Sequence, residues 1–134
     1  MSSRTIIGLD VGTKRIGVAV ADPSVGIAVP FITIDVDGNE LQAIAEIIVS
    51  EGADTIVVGY PRNQSGEKTA QTAEVEFFAE NLKDMVPHIV FQDESLTSVL
   101  AEPHLKAHNR PYTKSDIDAQ AATIILQDFL EGQR

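Results

Sequence analysis

Residues 4–10 hold a short apolar run, Ile6 to Leu9, which predicts a central strand with neither face left for water. Gly12 and Thr13 then supply a tight turn. The next run alternates bulky Ile16, Val18 and Val20 with small Gly17, Ala19 and Ala21, a period of two that gives a strand one large and one small face. Pro23 ends it. A third strand is predicted from Gly26 to Ile34, and Pro30, which cannot donate to a ladder, places it at a sheet edge.

Helical spacing takes over after Asp37 and Asn39, either of which can cap a helix carrying Leu41, Ile44, Ala45, Ile48 and Val49 on its apolar side. Gly52 is a natural stop. Thr55 to Tyr60 reads as a buried strand, residues 61–68 as a polar loop, and Val75, Phe78, Ala79, Leu82 and Val86 as the apolar side of a second helix closed by Pro87. His88 to Phe91 is a last short strand that leads to Asp93 and Glu94. Ser95 or Thr97 starts a further helix, interrupted or bent at Pro103, and Asp116 to Glu131 forms the final one. Three strands in a meander followed by alternating strands and helices require a mixed sheet, because strands joined through helices pair in parallel.

The chain of 134 residues fits one domain, 1–134, with no repeat or linker inside it. No apolar stretch approaches the roughly 20 residues of a membrane span. The first strand begins almost at once, leaving no room for a signal peptide, so a cytoplasmic protein without membrane contact is expected. Cysteine is absent, which excludes disulfides and thiolate metal sites. A net charge of −10 argues against a nucleic-acid partner. Its distribution works the other way: residues 103–115 contain no acid, while Lys106, Arg110 and Lys114 stand there beside His104 and His108. A basic segment on an acidic protein can steer a phosphate backbone, or it can be an ordinary solvated loop.

Asp10 then stands out as a carboxylate ending a buried strand, costly there unless paired or bound to a cation. In parallel sheets ligands gather beyond the carboxyl ends of strands. Glu94 ends the last strand, and Gly59 lies near the end of the strand expected between it and the first. Two steps of about 4.8 Å separate the outer pair by ~10 Å, and Gly59 fills none of that gap. The final helix offers a third acid. Asp116 shares a stripe with Gln120, Thr123 and Gln127, read as a solvated face; Asp118 shares its side with Ala121, Ala122, Ile125 and Phe129, which must pack inward. Asp118 is therefore the one expected to face the sheet. Each acid also has a plainer role available: Asp10 accepting turn N–H groups, Glu94 favouring a helix start, Asp118 completing an approximate capping box with Ser115.

Three carboxylates without thiolates suit hard ions such as Mg²⁺ or Mn²⁺. Two such ions about 4 Å apart can activate water and stabilise the leaving oxygen of a phosphodiester. Lys14 and Arg15 follow Asp10 closely enough to reach phosphates, and Arg62 and Asn63 belong to a loop near the same edge. Gly66-Glu67-Lys68-Thr69 is not a P-loop, since Glu67 interrupts the contiguous Gly-Lys-Ser/Thr. His88, His104 and His108 lack the strand-end positions of the acids.

The stretches GLDVGTKRIGVAVAD (8–22), VVGYPRNQSG (57–66), DESLTS (93–98) and IDAQAATIILQDFL (117–130) resemble the YqgF-type pre-16S rRNA nucleases, also called Holliday-junction-resolvase-like proteins. The resemblance implies an α/β, ribonuclease H-like fold with a five-stranded mixed sheet in the order 3-2-1-4-5, flanked by helices. By the same resemblance Asp10, Glu94 and Asp118 fall on the family's metal-binding acids. Two positions depart from the family pattern: Ser95 stands where an Arg is usual, and Tyr60 where a Leu is usual. The resulting expectation is a metal-dependent nuclease acting on pre-rRNA or, alternatively, on branched DNA, as a monomer or homodimer. A non-catalytic nucleic-acid-binding module for ribosome assembly is the rival of a different class. A sugar-kinase or actin relative is disfavoured, because those folds clasp ATP between two such domains.

Overall fold

The computed structural model describes residues 5–12, 14–60, 70–93 and 114–132, with Asp93 and residues 114–117 described as backbone only. Five strands form one sheet: β1 (Thr5–Val11), β2 (Arg15–Asp22), β3 (Ile27–Asp35), β4 (Ala53–Tyr60) and β5 (His88–Asp93), in the order β3-β2-β1-β4-β5. β2 pairs antiparallel with both β1 and β3, whereas β4 runs parallel to both β1 and β5. The helices are α1 (Glu40–Glu51), α2 (Ala70–Leu82) and α3 (Lys114–Gly132). Among the described residues no helix is long and apolar enough to cross a membrane.

The alternation read from β1 and β2 sorts the core into two layers. Ile7, Leu9, Val11, Ile16 and Val18 point to one face and pack with Ile44 and Ile48 of α1 and with Val75 and Leu82 of α2. Their neighbours one residue along point to the other face. There Ile6, Ala19, Ala21, Ala28 and Val57 pack against Ala122, Ile125, Leu126 and Leu130 of α3. The small side chains of β2 lie on this second face, so α3 settles almost onto the sheet backbone. A Cβ added at Gly8 would come within 2.8 Å of the Leu126 Cβ, and one added at Gly17 would overlap the carbonyl oxygen of Asp118.

Pro30 does sit on an edge strand, as expected. Val18 pairs with Ile32 and Ala19 with Pro30, leaving Phe31 as the extra residue of a bulge. Ile27, Val29 and Ile32 are exposed along this edge, where the bulge and the missing proline N–H discourage further strand pairing.

Several boundaries differ from the sequence reading. Asn39 is the N-cap of α1 but makes no side-chain cap bond; its own N–H donates to Asp37 Oδ1 at 3.0 Å. Gly52 ends α1 in the left-handed conformation with φ 65°, its N–H reaching the Ile48 and Val49 carbonyls. α2 stops at Leu82, well before Pro87, so Val86 joins the core from the connecting turn. α3 begins at Lys114, two residues earlier than expected. The stripe read as solvated on that helix is not solvated: Thr123 is buried, and Gln127 accepts from the Ala28 N–H at 2.9 Å and donates to the Gly26 carbonyl at 3.1 Å. A sheet face lined by alanine and glycine lets the helix lie flat enough to bury more than one stripe. The helix expected after Ser95 lies outside the described residues.

The last turns of α3 hold a small electrostatic liability. Partial burial, and then the neighbouring Glu131, push the Asp128 carboxyl above its ordinary value. A raised folded-state value means that the folded protein holds the proton more tightly than the unfolded chain. The penalty is absent below the ordinary carboxylate range and fully present above the raised value. Asp128→Asn is therefore expected to raise the melting temperature slightly at neutral pH. In melts recorded below the ordinary carboxylate range, the difference from the parent should vanish.

Candidate active site

Asp10 is the penultimate residue of β1 and lies on the α3 face, in alternation with Ile6 and Gly8. Its partner across the antiparallel ladder is Gly17. Gly17 is also where the Asp118 carbonyl is seated, the approach that a Cβ would prevent. Facing residues of such a ladder have Cα atoms roughly 5 Å apart. One glycine thus brings the end of β1 and the start of α3 together, and with them Asp10 and Asp118.

The Asp118 side chain is held from β2. Arg15 Nε donates to Asp118 Oδ2 at 2.6 Å, linking residues 103 apart in the chain, with the two side chains 31% and 24% exposed. The Arg15 backbone is fixed by its turn: the Gly12 N–H donates to the Arg15 carbonyl at 3.0 Å, and the Val36 N–H to the Lys14 carbonyl at 2.9 Å. A Cβ at Gly12 would stand 2.7 Å from that Arg15 oxygen, so the close turn requires glycine there.

Beside these residues lies a cavity of about 420 Å³, lined by Gly12, Lys14, Arg15, Gln71, Glu74 and Asp118. Gln71 and Glu74 come from the start of α2, which packs on the opposite face of the sheet, so the cavity spans the carboxyl end of the sheet from both layers. Sequence spacing gave no signal for these two, because only the tertiary path of α2 brings them here. Gln92 lies near the same end of the sheet. On β5 it pairs with Gly59, and by alternation it shares the α3 face with Val90. Leu9 pairs with Val58, so Asp10, Gly59 and Gln92 occupy the same level of three neighbouring strands.

Of the acids expected to converge, Asp10 faces Gly17 across the ladder and the Asp118 backbone carbonyl is seated over that same glycine, while Glu94 lies outside the described residues. Among the described residues no three acidic or histidine side chains form a metal-binding group. Arg62, Asn63, Lys106 and Arg110, with His104 and His108, also fall outside the described residues, and Lys114 is placed only as the first backbone position of α3. Lys14 is exposed at the cavity. His88 starts β5, at the end of the sheet remote from Asp10. Tyr60, the departure from the usual Leu, is buried at the end of β4. Its hydroxyl donates to Glu76 Oε2 at 2.9 Å, and its ring meets Phe91 edge-on at 5.0 Å.

A family model described as RuvX, Holliday junction resolvase, matches residues 4–132. Curated relatives named "Putative pre-16S rRNA nuclease" align over nearly their whole length. One from Chloroflexus aggregans is 40% identical over 140 residues, covering 100% of this chain and 98% of the relative. Another, from Chloroflexus aurantiacus, is 42% identical over 141 residues, covering 100% and 91%. Among solved structures, T. thermophilus RuvC in complex with Holliday junction substrate superposes with a TM-score of 0.56 at 14% identity, over 97% of this chain and 95% of that one. The yeast mitochondrial Holliday junction resolvase Ydc2 superposes with a TM-score of 0.63 at 12% identity, over 98% and 80%. At such identities the likeness is one of fold, and the strand order expected from the sequence, 3-2-1-4-5, is the order observed.

Proposed function

The chain belongs to the RuvX family of Holliday junction resolvases, and from that premise we propose that it is a divalent-metal-dependent endonuclease that cuts structured nucleic acid, with pre-16S rRNA as its substrate. The observation that carries the reading is the seating of Asp118 on Gly17, directly across the ladder from Asp10. It puts the backbones of two acidic residues, distant in the chain, at one end of the sheet, near a cavity lined by Asp118, Lys14 and Arg15.

The donor set fits the metal the family implies. The carboxylates of Asp10, Glu94 and Asp118 would hold a hard ion, Mg²⁺ or Mn²⁺, and a chain without cysteine has no thiolate for a soft one. When bound, such ions supply an activated water and neutralise the charge that develops on the leaving oxygen. The protein's own part is to hold the carboxylates in place and to bind the strand. Lys14, exposed at the cavity, would meet phosphate, and Arg62, Asn63, Lys106, Arg110 and Lys114 are the further side chains assigned to nucleic-acid contact in this reading. An rRNA substrate places the reaction in the cytoplasm.

A second reading, resolution of four-way DNA junctions, is favoured by the family description and by the fold shared with RuvC. RNA is preferred because relatives at 40–42% identity carry the rRNA name, whereas the structural neighbours stand at 12–14%. Incubating the protein with a precursor-rRNA fragment and with a four-way DNA junction, each with Mg²⁺, Mn²⁺ or EDTA, separates the readings. The expected result is cleavage of the RNA with either ion and a loss of at least about 100-fold in EDTA. Cutting of the junction alone would transfer the assignment to DNA. Binding of RNA without any cleavage would leave the ribosome-assembly module standing instead.

A further inference from the structure

We propose that Arg15 is a resident counter-ion of Asp118 that competes with the divalent ion and keeps the site weakly loaded until a nucleic-acid phosphate draws the guanidinium away. This rests on the metal-site reading above. Arg15 shares the α3 face of β2 with Gly17; its carbonyl accepts from the Gly12 N–H, and the adjoining Lys14 carbonyl accepts from the Val36 N–H. From that fixed base its Nε meets Asp118 Oδ2 at 2.6 Å, so the carboxylate assigned to the metal already holds a cation. The same guanidinium lines the cavity beside Lys14, where a phosphate would enter. Guanidinium pairs with phosphate as readily as with carboxylate.

Two effects of Arg15 oppose each other, and their sizes decide between them. Repulsion between a monovalent and a divalent cation about 5 Å apart, in a water-like dielectric and low salt, weakens metal binding roughly tenfold. Ordering the short Asp118 side chain strengthens binding by no more than roughly threefold, since few rotamers are frozen. Competition wins. A phosphate that engages Arg15 removes the competitor, and by linkage the ion and the nucleic acid must then favour each other's binding.

The test is a calorimetric Mn²⁺ titration of the full chain, wild type beside Arg15→Gln, Arg15→Lys and Asp118→Asn. Each titration is run alone and with a phosphorothioate oligoribonucleotide, and thermal melts confirm folding. Arg15→Gln is expected to bind Mn²⁺ roughly three- to tenfold more tightly than wild type. Arg15→Lys, which keeps the charge, should stay within about threefold of wild type, and Asp118→Asn should lose binding. The oligonucleotide should tighten Mn²⁺ binding in wild type and leave Arg15→Gln unchanged. Unchanged or weaker binding in Arg15→Gln, with binding still lost in Asp118→Asn, would overturn the counter-ion role and spare the metal site. An oligonucleotide without effect on wild type would overturn the hand-over to phosphate. Absence of Mn²⁺ binding in every protein would remove the metal site and this proposal together.

Discussion

Gly17→Ala is expected to lower the melting temperature on the order of 10 °C and to disable the site as well, because the added Cβ meets main chain. The atom in its way is the Asp118 carbonyl oxygen, held within α3. No rotamer change can relieve the overlap, so α3 and β2 must part. That helix buries Ala121, Ala122, Ile125, Leu126 and Leu130, and lifting its first turns loosens this layer. Overpacking in cores costs about 1–3 kcal/mol, and a clash with backbone belongs at the top of that range or above it. For a domain with about 5–15 kcal/mol in hand, the loss is severe but not total. Gly132→Ala is the control, since nothing lies within 4 Å of a Cβ there. Circular-dichroism melts of the two variants decide the matter. Equal melting temperatures for Gly17→Ala and Gly132→Ala would mean that α3 does not sit directly on the β2 backbone.

The same contact marks where the sequence stops being legible. The two-faced alternation of Ile16 to Ala21 shows that β2 has a small face, and a small face invites a close neighbour. Which element that neighbour is depends on the chain path, and no local spacing carries it. Asp118 was separable from Asp116 because Ala121, Ala122 and Ile125 fall on its side of the helix, and all three are buried. The companion inference, that the Gln127 stripe is solvated, fails because polarity alone does not distinguish an exposed amide from one that completes an edge strand's hydrogen bonds, as Gln127 does at Gly26 and Ala28. Likewise Arg15 reads from sequence as a phosphate contact after a turn. Its pairing with Asp118 joins residues 103 apart and leaves no trace in either neighbourhood. Gln71 and Glu74 are exposed residues of α2, and only the geometry of the sheet end gives them a cavity to line.

Asp118→Asn should separate the site from its scaffold. The amide oxygen is nearly isosteric with Oδ2 and still accepts from Arg15 Nε, so the position of the side chain is kept while its charge is removed. Loss of a partly exposed ion pair costs at most about 1 kcal/mol, a few degrees in the melt. A neutral amide, however, is a far poorer ligand for a hard divalent ion than a carboxylate. Metal-dependent cleavage is therefore expected to fall by at least about 100-fold, or about 3 kcal/mol of transition-state stabilisation. Asp116→Asn is the comparison. Helical spacing puts residue 116 on the stripe of Gln127, which bonds to β3 rather than to the strands that bear Asp10 and Gly59. Cleavage by that variant should stay within about threefold of wild type. Single-turnover cleavage of the precursor-rRNA fragment, beside melts of the same preparations, gives both quantities. Full activity in Asp118→Asn would remove this carboxylate from the metal site, and equal loss in Asp116→Asn would mean that the start of α3 presents a different side to the sheet.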